Sequence, residues 1–356
     1  MTRRDKHIRS DFDSKMMQEE EIKQAKKNYS RIGWCFVAGT ILIEGLQVVL
    51  LFLMRQYKPE WVQNLSLVLL CSTVITYGIG LPMICFFGRN LPKTVPPRRE
   101  TRFWQFVLMA FMCYALVYAS NLVGTFLTLL IGMAKGSAVN NRLLQYITDG
   151  NLWMNAFIMV GLAPVFEELV FRKFLVNRTL QYGQGVAILT SALMFGLFHG
   201  NLNQFAYAFV LGAFFAFIYI KTGKIHITMG LHAVINFMGS VPATWFLSHL
   251  NLEELEGLDT NELMQAAMNG IVDPQMQEIM ERNMPALMGL CTYAVWLLSV
   301  VLIGWILLIT FHKLFRLEHV PGQIPKGKRF SVMFLNPGML IFCVIWIGMI
   351  LWQLAA

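Results

Sequence analysis

Residues Met154–Val176 read MNAFIMVGLAPVFEELVFRKFLV. The segment is long and oily enough to cross a bilayer as a helix, which takes about 20 apolar residues. Yet Glu167, Glu168 and Arg172 fall within six positions of one another. Each charge placed in hydrocarbon costs at least about 2.5–3.5 kcal/mol on insertion scales. A chain that keeps three of them must pair them, or use them, inside a membrane bundle.

The rest of the chain supports the membrane reading. Of 356 residues, 56% are hydrophobic and 14% charged, against about 25% charged in soluble domains. Apolar blocks run over 33–54, 63–88, 103–133, 153–176, 186–202, 203–220, 225–247, 286–311 and 331–354. The expected fold is therefore all-α: a polytopic transmembrane bundle of about nine helices, multi-pass in the cell membrane and surrounded by lipid. Residues 1–32 form a polar tail, 33–356 the bundle, and 248–285 an acidic loop with eight acids against Arg282. Within that loop, Asp259–Glu262 offers a capping box for a short helix, and Pro274 fits the first turn of another over 274–284. The six cysteines all lie in apolar blocks without metal-ligand spacing, as small buried hydrophobes do. No signal-peptide pattern opens the sequence.

The net charge of +8 does not point to nucleic acid, because no basic patch with a binding motif accompanies it. Instead the basic residues alternate along the chain. Segments 1–32, 89–102, 172–178, 221–224 and 312–329 are rich in Lys and Arg; 55–62, 134–152, 200–204 and 248–285 are poor. The positive-inside rule then places the N-terminus in the cytoplasm and the C-terminus outside.

Glu168 and Arg172 are four apart and share a helix face. They can neutralise each other, which leaves Glu167 as an extra carboxylate. The plainer alternative is that both glutamates brace Arg172. Other polar groups weaken it. His199 lies between Gly196 and Gly200, and His232 shares a face with Asn236. At about 1.5 Å per residue, Glu167, His199 and His232 lie about 15, 20 and 12 Å from the basic end of their helices. All three fall near mid-bilayer, where ionisable groups facing a cavity are functional by default. Glutamate with histidine can deprotonate water, and His with Asn can stabilise an oxyanion. Two His and one Glu are also a catalytic zinc set. HExxH is absent, and no serine has a GxSxG setting.

EELVFR (Glu167–Arg172), FGLFH (Phe195–His199) and HAVIN (His232–Asn236) resemble, in order and spacing, the EExxxR, FxxxH and HxxxN motifs of the CAAX-protease and bacteriocin-processing (Abi) family, which includes type II CAAX prenyl endopeptidases. The resemblance covers about 150–240, a protease core. It implies an intramembrane endopeptidase acting on a peptide or membrane-associated protein, with a cavity open toward the cytoplasm. By that resemblance Glu167 is the general base, His199 assists it, His232 and Asn236 hold the oxyanion, and Glu168 and Arg172 support. The family has been described both as metalloproteases and as metal-independent glutamate proteases. The expectation is a site without metal; if zinc is used, Glu167, His199 and His232 are its ligands. Lys173 stands where many members have Gly. The rival readings are a non-catalytic immunity or scaffold protein on the same fold and a proton-coupled transporter, against which the lack of internal repeats counts.

Overall fold

The computed structural model describes residues 3–139, 151–251, 254–255, 274–320 and 322–355, with side chains from residue 18 onward except at 275. Among the described residues the chain is helical and contains no strand. Nine main helices answer to the nine apolar blocks. They are α1 (Arg3–Tyr57), α2 (Leu65–Phe87), α3 (Phe103–Lys135), α4 (Leu152–Tyr182), α5 (Gln184–Leu197), α6 (Leu202–Thr222), α7 (Ile225–Leu247), α8 (Pro274–Thr310) and α9 (Pro337–Ala355).

Nine spans are not confirmed. Seven described helices are long and apolar enough to cross a membrane. Helix α5 has 14 residues, about 21 Å, short of a hydrocarbon core near 30 Å. Helix α7 has the length, but His226, His232 and Asn236 dilute its apolar character. The chain is nonetheless a multi-pass membrane protein.

The charged N-terminal segment runs into the first span without a break. Ala25 and Tyr29 are buried with Tyr182, Val186 and Ile324, and Asn28 donates to the Tyr182 hydroxyl at 2.7 Å. The capping box at 259–262 lies outside the described residues. Residues 274–284 are not a separate helix but the first turns of α8, which continues through Pro285.

The basic connections meet at one end of the bundle. Thr94 N–H bonds the Asn177 carbonyl, and Arg99 N–H the Thr222 carbonyl. Glu318 pairs with Lys221 at 2.9 Å and Arg99 at 3.7 Å, and its N–H bonds Gln184. At the opposite end Asn251 meets Asn283, and Lys135 reaches the Leu354 carbonyl. Successive helices thus alternate in direction. The basic end is the one the positive-inside rule assigns to the cytoplasm.

Close helix approach holds the bundle together where burial from water cannot, since lipid is as apolar as leucine. A Cβ placed on Gly338 of α9 would run into the Ser30 carbonyl of α1, and one on Gly304 of α8 into the Phe111 carbonyl of α3. The inner half, toward the basic end, is filled by a core that includes Phe36, Phe171, Phe195 and Phe342.

Candidate active site

Helix α4 carries the acidic pair, and its backbone is irregular on both sides. Phe157–Leu162 and Leu169–Val176 are wound as π-helix, a departure frequent at functional sites. The first has a traceable cause. Ala163 N–H reaches back five residues to the Ile158 carbonyl. In the same register Pro164 would reach Met159, but proline has no N–H. Asn236 fills the gap: its Nδ2 donates to the Met159 carbonyl at 2.7 Å. The carbonyl that Pro164 leaves free therefore ties α4 to α7.

Beyond this proline the two glutamates part company. Glu168 is fully buried. Its Oε2 lies 3.2 Å from Arg172 Nε, and its Oε1 lies 3.1 Å from His232 Nδ1. The Arg172 guanidinium is also fully buried, 4.3 Å from the Phe195 ring centre and 5.3 Å from that of Phe215. Such cation–π contacts reach about 2 kcal/mol when desolvated. The pair predicted from spacing is present, with His232 as a third member.

Glu167 points the other way. It is partly exposed and lines a cavity of about 630 Å³ together with His199, His232 and Asn236. All four expected catalytic side chains thus border one space. Glu168 and Arg172 stand behind it. Glu167 Oε2 lies 3.8 Å from His232 Nε2, and its Oε1 accepts from the Tyr77 hydroxyl at 2.9 Å.

The histidines are oriented by their far nitrogens. With Nδ1–H donated to Glu168, a neutral His232 presents an unprotonated Nε2 to Glu167. It becomes a donor for an oxyanion only when both nitrogens carry protons. His199 Nδ1 donates to the Phe195 carbonyl at 2.8 Å, leaving its Nε2 as an acceptor; both tautomers are inferred from these partners. His199 sits in the turn that ends the short α5. Gly200 closes that turn at φ +66°, a region that favours glycine, and Asn201 caps α6 by accepting from Gln204 N–H at 2.8 Å. Irregular backbone at this depth is tolerated where it lines a cavity.

Among the described residues, no three His, Cys, Asp or Glu side chains are grouped to hold a metal ion. The alternative zinc set would use Glu167 and the Nε2 atoms of His199 and His232, whose Nδ1–H groups are held by the Phe195 carbonyl and by Glu168, as the outer partners of ligating histidines are.

The cavity is lined by residues between Ile158 and Glu167 on α4, His232 and Ser240 on α7, Leu69 and Tyr77 on α2, Tyr114 and Asn121 on α3, and Gln204 and Leu211 on α6, with Phe195 of α5 and Leu297 of α8.

Tyr77, from a helix far outside the motif region, escaped the sequence reading. A signal was present: Ser72, Thr73, Thr76 and Tyr77 form a polar stripe in an otherwise apolar block.

Comparison with known proteins finds similarity over the part of the chain that carries the motifs. Residues 149–238 match the family model described as type II CAAX prenyl endopeptidase Rce1-like. The chain is 26% identical over 177 residues to CAAX prenyl protease 2 of Arabidopsis thaliana, covering 40% of this chain and 56% of that protein. It is 32% identical over 109 residues to the human CAAX prenyl protease 2, covering 25% and 33%. It is 24% identical over 170 residues to YdiL of Bacillus subtilis, whose name is that of a membrane peptidase, covering 46% and 68%. No solved structure matches. Residues 149–238, which carry the three motifs, are thus similar to the Rce1-like CAAX-protease family, and the chain spans about half the length of the first of these relatives.

Proposed function

We propose that the chain is an intramembrane endopeptidase that hydrolyses a peptide bond of a peptide or membrane-associated protein. The observation that carries this reading is the division of labour between adjacent glutamates. Glu168 is consumed by Arg172 and His232, while Glu167 is left bordering a cavity with both histidines and Asn236.

In this mechanism no metal takes part. Glu167 Oε2 takes a proton from a water whose oxygen bonds to the substrate carbonyl carbon. The acceptor Nε2 of His199 orients that water. Asn236 has given one N–H to Met159 and offers its second to the oxyanion, joined by His232 when its Nε2 is protonated. As the tetrahedral adduct collapses, the C–N bond breaks and the proton held by Glu167 passes to the leaving amine. Positioned acid–base groups of this kind contribute typically about 10²–10⁴-fold each. The wall facing Glu167 carries hydroxyls from Thr73, Thr76, Tyr114 and Tyr118. These can satisfy the peptide groups of an unwound substrate, which would otherwise be costly to desolvate.

The test is cleavage of a peptide library by the purified full-length protein in lipid nanodiscs. Glu167→Ala and His199→Ala should each lower turnover at least about 100-fold while the protein stays folded. Turnover that survives both substitutions removes the mechanism. A wild-type protein that binds peptides and cuts none favours the scaffold reading.

A further inference from the structure

The geometry points to Tyr77 as a positioning residue for Glu167, supplied by a helix outside the family-matched segment. This inference rests on the hydrolase reading above.

The two oxygens of Glu167 have different surroundings. Oε1 accepts the Tyr77 O–H at 2.9 Å. Oε2 stands 3.8 Å from His232 Nε2, a gap that is wide for a direct hydrogen bond. A carboxylate base needs one oxygen fixed and the other free for water. Without Tyr77 the side chain can turn about its own torsions, since no other described hydrogen bond restrains it.

Tyr77 is itself aimed. It lies within Val74–Gly80, a π-wound stretch of α2. Its ring stacks on Phe166, with centroids 5.7 Å apart and planes inclined by 27°. Phe166 immediately precedes Glu167, so the same ring that places the hydroxyl also packs on the neighbour of its target. Just beyond Tyr77, the α1–α2 contact leaves no room for side chains on two glycines. A Cβ on Gly80 would strike Ile43, and one on Gly39 would strike Ile84. The segment carrying Tyr77 is therefore anchored on α1 while its hydroxyl reaches the cavity.

Two roles can be separated by substitution. Tyr77→Phe keeps the ring stack and removes only the O–H; Tyr77→Ala removes both. If Tyr77 merely packs, Tyr77→Phe behaves as wild type and Tyr77→Ala does not. If it positions Glu167, Tyr77→Phe lowers kcat about tenfold or more and leaves KM within about twofold, the pattern of an interaction made in the transition state. The second measurement needs no substrate. Thermal melting of the full-length protein in nanodiscs should fall on Tyr77→Phe in the wild-type background and not in the Glu167→Ala background.

Wild-type-like kcat for Tyr77→Phe, or equal melting shifts in both backgrounds, overturns the proposal. Failure of the hydrolase reading is seen separately, as no cleavage by wild type or undiminished cleavage by Glu167→Ala. The melting comparison still decides the Tyr77–Glu167 link in that case.

Discussion

Replacing Arg172 with methionine removes a charge that has no exposure at all and strands Glu168, equally buried, 3.2 Å from the vacated site. Removing one partner of a buried ion pair costs about 3–5 kcal/mol, because the other charge is left uncompensated. Two features adjust that figure here. Glu168 keeps His232 Nδ1 at 3.1 Å, which argues for the lower end. The guanidinium also faces Phe195 and Phe215, contacts worth up to about 2 kcal/mol. The expected loss for Arg172→Met is about 4 kcal/mol. Glu168→Gln alone should cost about 3 kcal/mol, since it buries an unpaired guanidinium. The double variant strands neither charge. It should lie no more than about 2 kcal/mol below the single Arg172→Met variant, not the full 3 kcal/mol that addition requires, with a coupling of at least about 1 kcal/mol. Equilibrium unfolding in mixed micelles reads all three. Activity should not return fully with stability, because a neutral amide then replaces the carboxylate that faces His232 Nδ1. A loss below about 1 kcal/mol for Arg172→Met, or additive effects in the double variant, would refute the reasoning.

Two further outcomes follow from the fold. Gly338→Ala should destabilise the bundle by about 1–3 kcal/mol, the usual cost of overpacking, because the new methyl meets the Ser30 carbonyl and lies 2.9 Å from Trp34 N. Gly348→Ala on the same helix, where nothing lies within 4 Å, should be neutral; equal effects in the same unfolding assay would deny the α1–α9 contact. At the basic end, hydrogen bonding from Lys221, aided by its charge and that of Arg99, holds the Glu318 carboxyl below the usual carboxylate range. A depressed folded pKa means this clasp is fully present above the unfolded value near 4.3 and is lost as pH falls through the lower folded value. Limited proteolysis around residue 318 should therefore be unchanged between pH 7 and 5 in wild type, and faster at pH 7 in Glu318→Gln. Equal cleavage of both proteins would count against the clasp.

How far the sequence speaks depends on whether a partner is near in the chain. Glu168 and Arg172 could be paired on paper because four residues is one helical turn. Helix positions followed from apolar blocks, and the basic end from the Lys and Arg bias. The boundary between the apolar blocks 186–202 and 203–220 falls close to the turn that carries His199. What distance hides is different in kind. The rings around Arg172 belong to α5 and α6, and Tyr77 stands 90 residues from Glu167; no periodicity links them. Asn236 looked wholly available for an oxyanion, but a backbone carbonyl freed by Pro164 takes one of its donors, and sequence patterns do not display carbonyls.

The histidine turn has one more dependence. A Cβ on Gly200 would lie 3.3 Å from the Trp346 ring, and Phe198 meets the same indole at 4.7 Å between ring centres. Trp346 belongs to α9, so the support for His199 is synthesised long after the motifs themselves. A nascent chain that has already threaded Glu167, His199 and His232 into lipid still lacks the brace that seats the imidazole. On the proposed mechanism, the site is therefore complete only when α9 docks, and not while the ribosome is still delivering α8.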